Sequence, residues 1–180
     1  MSQRVGDIIR EASRLESLAM GIYTRLAATF RGEAELHRFW MSMARHEAGH
    51  VGALALIGAL LEQAGEGLQL EVDDSVIREA EGAVEALHQE AAGKVDVDRA
   101  FGIAVELESL ELEDLVLDLI HALSDPAARS QAEQMLLHDL SDLSLMIEKH
   151  CTGEDLLARA DRLVESRVGP REGGGYVRRC

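Results

Sequence analysis

Residues 36–61, LHRFWMSMARHEAGHVGALALIGALL, decide the fold. Leu36, Trp40, Met43, Leu54, Ile57 and Leu61 recur at the spacing of one helix face, and no proline interrupts them. Glu47 and His50 stand inside that stripe, nearly one turn apart. Both side chains therefore leave the helix on the same side and can grip one ion. An ionised glutamate on a core-facing stripe is costly unless an opposite charge meets it. The stretch thus predicts a long buried helix with a compensating charge beside it.

Working outward, a first helix is expected over about 5–30, with the stripe Ile9, Ala12, Glu16, Ala19, Tyr23, Leu26 and Phe30, and Gly32 marks the turn after it. The second helix, about 34–64, would be about 45 Å long and ends at Gly65-Glu66-Gly67. These two form an antiparallel hairpin. The segment 65–97 is more polar, with a helix from Ser75 to about Ala91, and suits a crossover that makes the second and third helices parallel. The third helix, 98–123, buries Phe101, Ala104, Glu108, Leu112, Leu115 and Leu119. Ser124-Asp125-Pro126 then stops it and starts a fourth helix over 126–150. The expected organisation is a four-helix bundle over 1–150, a C-terminal helix within 151–168 and a flexible Gly-rich tail over 169–180.

Composition agrees with an all-α chain. Apolar residues make up 47% and aromatics only 3%, so the core is built from Leu, Ala, Val, Ile and Met. The formal charge of −15 disfavours a nucleic-acid partner and suits cation binding. No apolar run is long enough to span a bilayer and the amino terminus lacks the apolar core of a signal peptide, so a cytoplasmic protein without a membrane partner is expected. With only Cys151 and Cys180, no disulfide framework and no Cys-x-x-Cys metal site are available.

The second half echoes the first at a constant offset of 92 residues. Leu15-Glu16-Ser17-Leu18 matches Leu107-Glu108-Ser109-Leu110, Met43 matches Met135, and His46 matches His138. At the same offset Glu47 falls on Asp139 and His50 on Asp142. The repeat thereby selects the acids that interrupt the apolar stripes: Glu16 and Glu108, and Asp139 and Asp142 in the stripe Ala132, Met135, Asp139, Asp142, Met146. His46 and His138 flank the stripe, while His37, His88, His121 and His150 show no ligand spacing.

Leu15-Glu16 with Tyr23 seven residues on, Glu47-x-x-His50, Glu108-x-x-Glu111 and the pair Asp139 and Asp142 resemble the ferritin-like superfamily, and within it the rubrerythrins. The resemblance covers about 5–150 and implies a ferritin-like four-helix bundle with a di-iron carboxylate site. It further implies that Glu47 and Asp139 bridge two irons, with Glu16 and Glu108 terminal, His50 and Glu111 as adjustable ligands and Tyr23 donating a hydrogen bond to a ligand. Manganese is the alternative ion. Where the family's fourth helix carries Glu-x-x-His, this chain has Asp139-x-x-Asp142, so a second iron loses its imidazole. The rubredoxin module of full-length rubrerythrins is also missing.

The function this implies is non-haem di-iron redox chemistry, either peroxide reduction or ferrous iron oxidation. Its small-molecule oxidant would be peroxide or oxygen, and its electron donor external. Two other readings stay open: iron binding or storage without turnover, and a degenerate bundle acting as an interaction module with an empty site. A homodimer is expected because Phe39 and Trp40 on adjacent faces offer more apolar surface than one bundle interior needs.

Overall fold

The structure, a computed structural model, describes residues 5–63, 70–72, 74–110, 112–136, 140–168 and 177–179. It is an all-helical fold with one small strand pair. Helix α1 (Val5–Thr29) and helix α2 (Ala34–Gln63) form the expected hairpin, turned by a Glu33 N–H to Phe30 carbonyl bond of 2.9 Å. Every member of the stripe from Ile9 to Phe30 is buried, Glu16 included. Along α2 the buried face runs Leu36, Trp40, Met43, Glu47, His50, Ala53, Leu54 and Ile57. Apolar residues at helical spacing fix that face, and the two polar groups are carried inside with it.

Helix α3 (Asp74–Ala91) occupies the crossover, yet it does more than return the chain. Its stripe Ile77, Ala80, Val84, Leu87 and Ala91 is buried, and it packs chiefly along α1. Two arginines tie it to its neighbours. Arg14 of α1 reaches Glu81 at 2.6 Å and Glu85 at 3.1 Å, and Arg99 bridges Glu90 at 2.5 Å to Glu106 at 2.7 Å.

The single third and fourth helices expected over 98–123 and 126–150 are each two helices. Helix α4 (Val97–Glu108) starts at Asp96, whose carboxylate accepts the Arg99 N–H at 2.8 Å. It ends at Ser109, whose hydroxyl donates to the Val105 carbonyl at 2.6 Å. Helix α5 (Leu112–His121) follows. Both flanks keep their stripe buried, from Phe101, Ala104 and Glu108 to Leu112, Leu115 and Leu119. Periodicity reports which face is buried, and it is blind to whether the hydrogen-bond ladder runs through. Helix α6 (Pro126–Leu136) has proline in its first turn, with the Asp125 carboxylate accepting the Ala127 N–H at 2.9 Å. Helix α7 (Ser141–His150) buries Leu143 and Ile147.

Close approach of α6 to α2 depends on glycine. A Cβ at Gly49 would sit 3.0 Å from the Met135 carbonyl oxygen, and one at Gly52 would sit 2.8 Å from the Met135 methyl carbon. Gly49 thus has a packing role inside the Glu47-Ala48-Gly49-His50 motif.

Helix α8 (Glu154–Val168) packs on α7 and α4 and buries Ala160 and Leu163, so it belongs to the same core as the bundle. Strand β1 (Leu70–Val72) pairs antiparallel with strand β2 (Val177–Arg179), with Leu70 opposite Arg179 and Val72 opposite Val177. The tail expected to be flexible over 169–180 therefore carries a strand at Val177–Arg179. The Gly-rich composition that suggested a linker lies before those residues.

An aromatic group fills the centre beside the hairpin. Trp40 stacks on Tyr23 at a centroid distance of 6.1 Å and meets Phe101 at 4.7 Å and Phe39 at 4.8 Å. Trp40 is fully buried and Phe39 is half-buried against it. Among the described residues, no helix is long and apolar enough to cross a membrane.

Candidate metal centre

Two helices position the ligands. Glu16 comes from the middle of α1, and Glu47 and His50 come from the middle of α2, where their spacing puts both side chains on one face. One ligand atom from each of the three lies within 4.8 Å of the other two, and all three residues are buried. His50 Nδ1 is 3.3 Å from Glu16 Oε2 and 3.2 Å from Glu47 Oε2. Glu108, the last residue of α4, is also buried and lines the same cavity, and its Oε1 accepts the Tyr23 hydroxyl at 2.6 Å. That cavity offers about 30 Å³, room for an ion or a water rather than an organic ligand. Val84 of α3 and Leu110 contribute to its apolar wall.

Burial and proximity reshape the charges. Burial opposes a charge on His50, but hydrogen bonds to Glu16 and Glu47 outweigh it and push the imidazole up to about 11. Glu47 is held well above the ordinary carboxylate range by burial, with the charges of Glu108 and Glu16 adding to it. Glu16 goes the other way: burial would raise it, and its bonds to His50 and Glu47 lower it. The ion-free cluster therefore draws His50 towards the imidazolium and Glu16 towards the ionised form, and pushes Glu47 towards the protonated one. Tyr23 is pushed well above its ordinary value, first by burial and then by the Glu108 charge, so its hydroxyl remains a donor.

The donor set fits a metal ion. Two carboxylates and an imidazole nitrogen make a mixed oxygen and nitrogen site of the kind iron and manganese favour. His50 Nε2 is buried without a hydrogen-bond partner among the described residues, while Nδ1 is the nitrogen aimed at the carboxylates. Those acids favour a proton on Nδ1, so ligation through Nδ1 would require that proton to leave and the remaining one to sit on Nε2.

Of the seven ligands read from the sequence, the structure brings Glu16, Glu47, His50 and Glu108 to one cavity, with Tyr23 beside Glu108. Glu111 and Asp139 lie outside the described residues. Asp142 is exposed in the first turn of α7 and is not among the three clustered residues. The buried positions of α7 are Leu143 and Ile147, so the stripe drawn through Asp142 and Met146 is displaced by one residue beyond the interruption between α6 and α7. An acid in a first helical turn is instead stabilised by the helix dipole. The cavity also contains residues that no ligand spacing indicated. Val84 could have been found from the i, i+3, i+4 spacing of α3, whose helix was expected but whose docking place was not.

Comparison with protein-family models, with curated proteins and with solved structures gives no match for this chain.

Proposed function

We propose that this chain binds a redox-active transition metal, iron or manganese, at Glu16, Glu47 and His50 with Glu108 completing the set, inside a ferritin-like bundle of the rubrerythrin kind. The observation that supports it is three buried ligand atoms within 4.8 Å of one another in an interior that otherwise admits almost no charge. A bound iron would supply one-electron reducing equivalents to peroxide or oxygen. The chain's own residues prepare the place. His50 Nδ1 holds a proton in the ion-free state that binding would displace, and burial pushes Glu47 towards its protonated form, so ion and proton compete for the site. Tyr23 fixes the orientation of the Glu108 carboxylate through its 2.6 Å hydrogen bond. Leu15, Val84 and Leu112 form an apolar part of the wall beside the ligands.

With Asp142 exposed, the described ligands suffice for one ion. A second would draw on Glu111 and Asp139, whose sequence positions suit that role. This favours, as a second reading, a one-ion site that binds iron without turnover. Electrons for the redox reading would come from a separate protein or a small molecule.

The test is elemental analysis of protein purified under reducing conditions and reloaded with Fe²⁺ or Mn²⁺. One or two ions per chain in the wild type, and none in Glu47→Ala, is the expected result. No ion in either, with unchanged melting, overturns the proposal. Anaerobic Fe²⁺-loaded protein mixed with peroxide or with oxygen then separates turnover from binding alone.

A further inference from the structure

Tyr23 is held from two sides. Its ring stacks on Trp40 with 13° between the planes and 6.1 Å between centroids, and Trp40 in turn meets Phe101 at 4.7 Å. Phe101 stands about two turns before Glu108 on the same helix, α4. The aromatic group therefore fixes Tyr23 against the helix that carries Glu108, and the 2.6 Å bond from its hydroxyl to Glu108 Oε1 closes the frame. Tyr23, Trp40, Phe101 and Glu108 are all buried. A donor held in this way decides which way its carboxylate faces.

Glu108 lines the cavity at Glu16, Glu47 and His50, yet it is not among the three residues whose ligand atoms lie within 4.8 Å of one another. At the least, the Tyr23 bond satisfies two buried polar groups. Its consequence for an ion in the cavity goes further. A carboxylate offers an ion one oxygen or two, and the two-oxygen grip requires the group to turn both oxygens inwards. A fixed hydroxyl on Oε1 opposes that turn, because turning would stretch a short bond that nothing else in the frame can follow. We propose that Tyr23 is a specificity-determining residue of the metal centre: by holding Oε1 it confines Glu108 to a one-oxygen contact, keeps the number of oxygen donors low, and so favours Mn²⁺ or Fe²⁺ over Ca²⁺. Calcium is the ion a fuller oxygen shell would serve, since it takes about six to eight oxygens and gains little from the His50 nitrogen. The inference rests on the metal reading of the cluster and adds the residue that selects the ion.

Mn²⁺ and Ca²⁺ are the probes. Unbound Mn²⁺ is counted by its solution EPR signal in titrations of the full ion-free chain, and Ca²⁺ is measured by its displacement of bound Mn²⁺. The wild type should prefer Mn²⁺ over Ca²⁺ by about a hundredfold or more. In Tyr23→Phe the dissociation constant for Mn²⁺ should stay within about threefold while that for Ca²⁺ falls roughly tenfold, so the preference shrinks. Glu108→Gln should weaken both ions by a similar factor, because it removes a one-oxygen contact from each. In the double variant Tyr23→Phe with Glu108→Gln, the gain for Ca²⁺ should vanish. That result ties the effect to Glu108 and separates it from loosened packing around Trp40.

A preference for Mn²⁺ that survives Tyr23→Phe unchanged overturns the role of Tyr23 and leaves the metal reading standing. So does a loss of preference that persists in the double variant. Should Tyr23→Phe fail to fold, Glu108→Gln alone decides: equal weakening of the two ions supports a one-oxygen contact, and unequal weakening overturns it. A wild type that binds Ca²⁺ as tightly as Mn²⁺ overturns the selection and keeps the site. Binding of neither ion by the wild type overturns the metal reading together with the inference.

Discussion

Tyr23 donates its hydroxyl to Glu108 Oε1 at 2.6 Å, and both residues are buried, so the bond ties the ligand at the end of α4 to the middle of α1. Tyr23→Phe removes the donor and leaves that carboxylate oxygen buried without it. A hydrogen bond to a charged group contributes about 1.5–3 kcal/mol, and the ion-free protein should lose about 2 kcal/mol. With Mn²⁺ bound the loss should be smaller, because the ion takes over the carboxylate charge. Urea unfolding of both proteins with and without Mn²⁺ checks this, and an equal loss in the two states would show that Glu108 does not face the ion.

Glu47 and Glu16 should respond differently to neutralisation. Burial and its acidic neighbours push Glu47 towards the protonated form, so Glu47→Gln, a neutral group of similar shape, should be the milder replacement. The stability of the ion-free protein should change by less than about 1 kcal/mol. Glu16 is lowered by its bond to His50 at 3.3 Å, and Glu16→Gln takes away the ionised carboxylate beside the buried imidazolium, which should cost about 3 kcal/mol. Both variants should lose Mn²⁺ affinity by more than roughly a hundredfold, since each removes a ligand. Calorimetric titration with Mn²⁺ together with thermal melts separates the two effects.

The contrast between what the chain's pattern revealed and what it concealed is physical. Apolar spacing identified the buried faces of α1, α2 and α4–α5, because burial is decided residue by residue along a stripe, and the acids on those stripes were carried inside with them. Glu16, Glu47, His50 and Glu108 were legible for that reason. The interruption at Ser109 was not, since a serine hydroxyl that bonds its own helix leaves the stripe unchanged. Asp142, expected on the buried stripe, lies exposed in the first turn of α7, where Leu143 and Ile147 are the buried positions. The Arg14 fork to Glu81 and Glu85 joins residues about seventy apart, and a spacing rule confined to single helices has no means of finding it.

Gly49 and Gly52 should differ when replaced by alanine. At Gly49 the new methyl would meet the backbone oxygen of Met135 at 3.0 Å, which cannot step aside without moving α6. At Gly52 it would meet the Met135 methyl, the free end of a flexible side chain. Alanine gains about 1 kcal/mol of helix propensity at either position. Gly52→Ala should therefore be neutral within about 0.5 kcal/mol, and Gly49→Ala should lose about 1–2 kcal/mol net. Guanidinium unfolding of the two variants tests the difference. Equal stability would show that α6 is free to shift.

Ion binding and protonation compete for the same atoms, which sets opposite pH responses for the ion-free and ion-bound protein. His50 rises from 6.5 to about 11 on folding, so its contribution to stability is fully present below 6.5 and is lost as pH climbs towards 11. Glu47, also raised, contributes stability that is present below 4.5 and lost as pH rises through its folded value. Both terms therefore weaken the ion-free protein as the solution becomes more alkaline. The surface acids Glu35 and Glu90 are lowered by Lys149 and Arg99, and their contribution is lost only as pH falls below 4.5, outside the window of interest. From about pH 6 to about pH 9 the ion-free melting temperature should fall. Over the same window the increase in melting temperature produced by a fixed Mn²⁺ concentration should grow, because fewer protons must be displaced from His50 Nδ1 and Glu47. At pH 7 binding should release at least the His50 proton, read from calorimetric heats in buffers of different ionisation enthalpy. A proton count near zero would mean that the ion sits away from His50 and Glu47.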